Sequence, residues 1–190
     1  MRAKLATKAA RSCSIAAALA TFACAELDDS GAALEGPDAP LDRGPLVEIE
    51  AFEPLPASRD PLAAHRPALV DCPAAAWGLE AGGLEVQTGV CNYVAFGQAT
   101  AVDVEVGDEL VVDLWHDTLD AVAPALGHFA VLLDGQLLAE YEVEIPSAPA
   151  VHRLSWTADA PVPAGAELVL HLHNHGYNSW TIVRVELADP

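Results

Sequence analysis

Three histidines stand at alternate positions near the end of the chain, in the run His171-Leu172-His173-Asn174-His175. Successive side chains of a β-strand point to opposite faces, so residues two apart project from one face at steps of about 6.5 Å. Two imidazoles spaced in this way can bind one Zn²⁺ or Cu²⁺ ion, with a third ligand from a neighbouring strand or loop. The predicted metal ligands are His171, His173, His175, His116 and His128, with Asp113 and Asp117 as carboxylate alternatives.

The same histidines have a simpler interpretation. A solvent-facing strand carries polar residues for solubility, and His175 falls in a turn-rich segment where its imidazole would bond the backbone. His65 and His152 have no other histidine near them in the sequence and are left out of the predicted site. If the predicted ligands lie metal-free among the 28 acidic side chains, negative charge should favour their protonated form, and acid should weaken metal binding.

A second set of candidate residues combines aromatic and amide side chains. Asn174, Tyr177, Asn178 and Trp180 follow one another closely, and Trp115 comes from an earlier strand. Sugars stack on aromatic rings while amides bond their hydroxyl groups. This set resembles the sugar-facing edge of extracellular jelly-roll carbohydrate-binding modules, which implies a glycan or another extracellular ligand. The alternative is that Tyr177 and Trp180 simply cover the hydrophobic core.

Motifs of common enzyme classes are missing from the sequence. It contains no HExxH, GxSxG, P-loop or EF-hand pattern, and no methionine after Met1 to serve as a copper ligand. The sequence therefore favours binding over catalysis, and no catalytic residue is predicted. A metal-dependent enzyme that uses the same histidines is a third alternative, because an open coordination position leaves no trace in a sequence.

Short β-strands are predicted to position both sets of residues. Polar and apolar residues alternate over 102–106 and 139–145, and Asp134-Gly135 between apolar runs indicates a tight hairpin. Eight or so such strands and no convincing helix predict an antiparallel β-sandwich over residues 60–190, jelly-roll-like or immunoglobulin-like. The further predicted strands cover residues 84–88, 93–98, 109–116, 128–133, 151–156, 167–173 and 179–187.

A comparison of two segments predicts which faces point inward. Residues 104–117 align with residues 162–175 at an offset of 58, and in both a glycine turn precedes a strand. We interpret this similarity as a turn-and-strand pattern common to β-sandwiches rather than as a duplicated unit. The alignment places Leu110, Val112 and Leu114 with Leu168, Leu170 and Leu172 on the core side, and Asp113, Trp115 and Asp117 with His171, His173 and His175 on the opposite side.

The first 23 residues are predicted to be an export signal. A cationic stretch precedes the apolar run 15–20, and small residues surround Cys24. The segment Thr21-Phe22-Ala23-Cys24 resembles the cleavage box of bacterial lipoprotein precursors, which implies lipidation of Cys24. Cleavage after residue 20 or residue 25 by an ordinary signal peptidase is the alternative. Residues 24–59, rich in proline, alanine and acids, are predicted to form an extended tether, and the alternation over residues 47–50 suggests an edge strand there.

Cysteine and charge counts agree with export. Cys72 and Cys91 form the even pair expected of an oxidising compartment, and their disulfide would close a loop of roughly 20 residues, worth about 3 kcal/mol; two free thiols are the alternative. Four of the nine cations precede residue 12, which leaves five arginines, no lysine and 28 acids, a net charge of −23. Such a charge excludes phosphate backbones and anionic lipid headgroups as ligands. The sequence predicts an exported, lipid-anchored or secreted, envelope protein.

Overall fold

The computed structural model describes residues 43–188. The predicted signal peptide, Cys24 and the first part of the predicted tether lie outside them. The described chain forms ten strands in two antiparallel sheets. They are β1 (Glu53–Pro54), β2 (Trp77–Glu80), β3 (Gly83–Gln87), β4 (Tyr93–Ala99), β5 (Glu109–His116), β6 (Ala125–Leu133), β7 (Gln136–Ile145), β8 (Ala150–Thr157), β9 (Glu167–Asn174) and β10 (Ser179–Leu187). Three single-turn 3₁₀ helices cover Ile49–Ala51, Ala63–His65 and Ala74–Ala76.

The strand order identifies the sandwich as a jelly roll. Sheet A has the order β1-β4-β9-β6-β7, and sheet B has the order β2-β3-β10-β5-β8. Without the two outermost additions, β1 and β2, eight strands remain, and the chain crosses between the sheets at nearly every connection, as in a double Greek key. The β-sandwich prediction is confirmed, in its jelly-roll form rather than its immunoglobulin-like alternative.

Local sequence determines much of this arrangement. Asp134 and Gly135 have φ values of 50° and 77°, as a type I′ hairpin between β6 and β7 requires. The observed bounds of β5 and β10 match the predicted ones, and β3, β4, β6, β8 and β9 differ by a few residues at most. The predicted core faces are also confirmed, because the six residues assigned inward on β5 and β9 all lie in the main core between the sheets.

Two predicted strands are wrong. Residues 102–106 contain no strand; only Val104 is buried, and it forms a single bridge to Val162 before Gly107 turns the chain. The alternation there reflects one core contact and exposed turn residues rather than a ladder. The edge strand suggested near residues 47–50 is replaced by the 3₁₀ helix Ile49–Ala51, and the edge strand of sheet A is the shorter β1.

The sandwich domain begins earlier than the predicted boundary at residue 60. Leu46 and Phe52 are buried in the main core, and β1 pairs with β4, so residues from about 46 onward belong to the domain rather than to a tether. These buried residues are isolated apolar side chains between prolines and acids, so the composition of the segment does not predict their burial. The next segment, residues 55–72, is called the covering segment because it lies on the outer face of sheet A.

The covering segment is attached at both ends. Leu55 donates its N–H to the carbonyl of Ala95 and packs with Leu62 on the outer apolar patch of sheet A. At the far end, Cys72 is bonded to Cys91, which confirms the predicted disulfide. Asn92 bonds the backbone of the segment at two further points. Among residues 43–188 there is no helix with the length and apolarity needed to cross a bilayer.

Candidate functional site

A cleft opens on the outer face of sheet B, at the end of the sheet where β10 begins. Its volume is about 570 Å³. One wall is Trp115 of β5, whose ring is half-buried, and the loop before β10 contributes Tyr177, which is 54% exposed. The full lining is Glu80, Glu85, Gln87, Gly89, Val90, Trp115, Asp117, Tyr177, Asn178 and Ser179.

Strand pairing sets the separation of Trp115 and Glu85 across the cleft. Trp115 lies opposite Thr181, and Thr181 lies opposite Glu85, so a small residue separates the indole from the carboxylate on one face of the sheet. Two strand spacings place the indole and the carboxylate on strands about 9.6 Å apart. Thr181 itself is 4% exposed and does not line the cleft.

The loop that carries Tyr177 is held in place by its backbone. Asn178 has a φ of 98°, accepts two hydrogen bonds at its carbonyl from Thr88, and donates its amide to the carbonyl of Thr118. Tyr177 donates its N–H to the carbonyl of Asp120. The ring of Tyr177 packs beside Gly89, where an added Cβ would lie 3.4 Å from the ring. The aromatic wall is therefore fixed by the loop that supports it.

The cleft is acidic. Burial, with the nearby carboxylates of Glu80 and Asp117, raises the pKa of Glu85. Farther along the same face Asp113 accepts hydrogen bonds from Arg153 and Arg184, and these bonds lower the pKa of Asp113. Every arginine of the described residues is ion-paired with a carboxylate, and none lines the cleft. The pairs are Arg43–Asp108, Arg59–Glu167, Arg66–Asp60, Arg153–Asp113 and Arg184–Asp113.

The structure brings together only part of the predicted aromatic and amide set. Trp115, Tyr177 and Asn178 line the cleft, as the glycan-binding alternative expects. Trp180 and Asn174 do not, because both are fully buried, and Trp180 packs in the main core near Phe129. Both occupy inward-facing positions of their strands. Sequence reasoning missed Glu85 and Gln87, although both alternate with buried residues on β3 and this pattern predicts an outer face.

Histidines gather on the opposite side of the sandwich, on the outer face of sheet A. One ring nitrogen from each of His65, His128 and His171 lies within 4.8 Å of the others. Their ring centroids are 5.1–5.9 Å apart. His171 of β9 stands between Ala95 and Ala130 of the flanking strands, and His65 comes from the covering segment. We call these three residues the histidine cluster.

Hydrogen bonding leaves this cluster under-satisfied. His171 is fully buried, and neither of its ring nitrogens has a hydrogen-bond partner within residues 43–188. Nε2 of His128 lies 3.2 Å from Oε2 of Glu140, whereas its buried Nδ1 has no partner in the same range. Burial, then the neighbouring histidines, lowers the pKa of His171 to about 3 and that of His173 to about 4. The expectation that acidic surroundings favour protonation is therefore wrong at these two sites.

The other predicted ligands lie elsewhere. His173 is half-buried beside Tyr93 and makes an edge-to-face ring contact with His175, which is exposed, and neither belongs to the cluster. His116 lies on the inner face of sheet B, where its ring packs against His152 and Trp180. Placing His116 with His171 was wrong, because the two strands belong to different sheets. His65, which was set aside, replaces it.

The covering segment is held over the cluster by a buried polar group. The Tyr93 hydroxyl donates to the buried carboxylate of Asp60, which also accepts the N–H of Leu62 at 2.9 Å. The Arg66 guanidinium lies 3.6 Å from the same carboxylate and 5.1 Å from the centre of the Tyr93 ring. Burial and this carboxylate raise the pKa of Tyr93. The position of His65, one residue before Arg66, follows from these contacts.

No protein-family model and no curated protein matches the chain. Several solved structures are similar in fold. A family 4 carbohydrate-binding module is 11% identical with a TM-score of 0.42, over 76% of this chain and 95% of that one. A mannan-recognising module of family 27 is 10% identical with a TM-score of 0.42, over 71% and 94%. The N-terminal cellulose-binding domain of a Cellulomonas fimi β-1,4-glucanase is 13% identical with a TM-score of 0.39, over 60% and 82%. Such distant likeness assigns the chain to no family.

Proposed function

We propose that this domain binds an uncharged glycan in the cleft of sheet B. The observation that carries the proposal is the placement of Trp115 and Tyr177 around an open groove of about 570 Å³ whose remaining lining is rich in amide, hydroxyl and carboxylate groups. Aromatic rings contact the apolar faces of sugars, and the polar groups accept or donate hydrogen bonds to hydroxyls. We prefer glycan binding to metal binding as the main function because this groove is large and open to solvent.

The charge of the cleft selects among glycans. Glu80, Glu85 and Asp117 line it, while all five arginines of the described chain are engaged with carboxylates. A sulfated or uronic acid sugar would meet repulsion without a compensating cation. An uncharged hexose polymer meets no such penalty, and its hydroxyls can donate to the acidic side chains.

The test is a glycan array probed with the full chain, followed by titration with the best soluble oligosaccharide. We expect signal on uncharged glycans and none on sulfated or uronic acid glycans. Trp115→Ala should weaken binding about tenfold, the equivalent of about 1.4 kcal/mol, because it removes the stacking surface. Val151→Ala is the matched control, since Val151 lies beside Trp115 in sheet B, is 82% exposed and does not line the cleft.

An array without signal on uncharged glycans would refute the proposal. Equal affinity for wild type and Trp115→Ala would also refute it, provided that the variant melts at the wild-type temperature. Tyr177→Phe and Tyr177→Ala then separate the contributions of hydroxyl and ring. We expect only the alanine variant to lose affinity, because the ring forms the wall.

We also propose that the protein acts outside the cytoplasm, attached through a lipid on Cys24. The export pattern of residues 1–23 and the Cys72–Cys91 disulfide support this location. The test is mass spectrometry of the protein from the membrane fraction. An acyl modification at the new N-terminal cysteine is expected, and Cys24→Ser should abolish both the modification and membrane retention. Unmodified protein found only in the medium would refute the anchor.

A further inference from the structure

The histidine cluster has the composition and spacing of a three-ligand metal site. For nitrogens at most 4.8 Å apart, some point lies within about 2.8 Å of all three. A Zn²⁺–imidazole bond measures about 2.0–2.1 Å. Each ring therefore needs to move by less than about 1 Å to reach a common ion. His65 is exposed and sits on a one-turn helix, so its side chain can make that adjustment.

The unpaired nitrogens give the second, independent indication. A buried polar atom normally has a partner, and an unpaired one costs free energy. His171 presents two such atoms and His128 one, and one ring nitrogen of each residue lies within 4.8 Å of a ring nitrogen of His65. The Glu140 carboxylate engages Nε2 of His128, which fixes the ring and leaves Nδ1 as the free lone pair. Carboxylate–histidine pairs of this kind orient the ligands of known metal sites.

From this geometry we infer that His65, His128 and His171 together bind one divalent transition-metal ion, with Zn²⁺ as the test case. Three neutral imidazoles without a thiolate suit Zn²⁺ or Cu²⁺ rather than Ca²⁺ or Mg²⁺, which prefer oxygen. Tyr93 is not a competing ligand, because its hydroxyl is committed to Asp60 and the carbonyl of Leu62. The inference is independent of glycan binding, since the cleft belongs to the other sheet.

The ion would act as a cross-link between the covering segment and sheet A. His65 is the only member of the cluster on the segment; His128 and His171 come from adjacent strands β6 and β9. The segment is otherwise held by β1 at one end, the disulfide at the other, and the Asp60–Tyr93 contact between them. Metal binding therefore fastens the middle of the segment, where it crosses the sheet.

The experiment is calorimetric titration of ZnCl₂ into the full chain without a His-tag. We expect one ion per chain and a loss of affinity greater than about 100-fold in His65→Ala. Glu140→Gln should weaken binding about 10-fold through the orientation of His128. His175→Ala is the matched control, because His175 is also exposed but lies outside the cluster, and its affinity should equal that of wild type. Neither His65 nor His175 is buried, so misfolding does not confound the comparison.

A second readout follows the covering segment itself. Trypsin can cut after Arg59 within the segment, and Zn²⁺ should slow that cut in wild type but not in His65→Ala. Full Zn²⁺ affinity in His65→Ala would overturn the inference, and so would no binding at micromolar Zn²⁺ in wild type. Affinity lost in His175→Ala but kept in His65→Ala would also overturn it, because the ion would then sit on the His173–His175 pair. Binding without protection at Arg59 would refute the cross-link.

Discussion

Replacing His171 by leucine should stabilise the metal-free protein, although the residue is fully buried. The imidazole sits among Ala95, Ala130 and the covering segment, and its two nitrogens have no hydrogen-bond partner among residues 43–188. Leucine has a similar size and no polar atom to leave unpaired. The substitution therefore removes a desolvation cost without opening a large cavity.

The magnitude follows from two unpaired atoms. Each buried donor or acceptor without a partner costs about 1–3 kcal/mol. Imperfect packing of the leucine side chain reduces this stabilisation by up to about 1.5 kcal/mol. The free energy of unfolding in EDTA should therefore rise by roughly 0.5–6 kcal/mol. Saturating Zn²⁺ shifts the stability difference toward wild type, because wild type gains about 2.7 kcal/mol at an ion concentration 100 times Kd and His171→Leu gains nothing.

Urea denaturation of both proteins, with EDTA and with Zn²⁺, measures the four free energies. His175→Leu serves as the control, since an exposed imidazole has no desolvation cost to remove and its substitution should change stability little. If His171→Leu is less stable than wild type in EDTA by more than about 1 kcal/mol, the buried nitrogens have partners and the reasoning is refuted. Equal effects of Zn²⁺ on both proteins would refute the metal assignment.

Three further predictions concern stability and are all measured by denaturant unfolding. Replacing Cys72 and Cys91 by serine should cost about 3 kcal/mol, because their bond closes a loop of about 20 residues; no loss would mean the thiols are free. Gly97→Ala should cost about 1–2 kcal/mol by displacing the covering segment, whereas Gly78→Ala, with open space at its Cβ, should not. The arginine partners of Asp113 lower its pKa, so they stabilise the fold above the unfolded pKa of about 3.9. The free energy of unfolding of wild type should exceed that of Asp113→Asn by about 1 kcal/mol at pH 7. This difference should vanish as pH falls through the lowered pKa of Asp113; a difference that stays constant down to low pH would contradict the prediction.

The positions of most strands, and the side chains that each strand turns inward, were predictable because both depend on residues that are neighbours in sequence. The alternation in β5 placed Leu114 inward and Trp115 outward, and Asp134-Gly135 fixed the β6–β7 hairpin. The same rule applied to β10 would have placed Trp180 inside. It was assigned to the ligand-binding set because of its proximity to Tyr177, although adjacent residues of a strand face opposite sides.

The histidine cluster was only half predictable. His171 and His128 were chosen, but their neighbourhood depends on which strands pair, and that is a long-range property. His65 could not be found from periodicity, because its segment has none. It reaches the cluster through the disulfide at Cys72 and the buried contact between Asp60 and Tyr93. The burial of His171, which sets its pKa, likewise depends on a segment about a hundred residues earlier in the chain.

The cleft and the histidine cluster use the two outer faces of one sandwich. Sheets packed face to face lie about 10 Å apart, so a sugar chain on sheet B cannot touch an ion on sheet A. Sites separated in this way usually contribute additively to the free energy. A domain adsorbed to a polysaccharide through Trp115 and Tyr177 would still present His65 to the medium. One molecule could then hold a surface and an ion simultaneously, with neither event changing the affinity of the other.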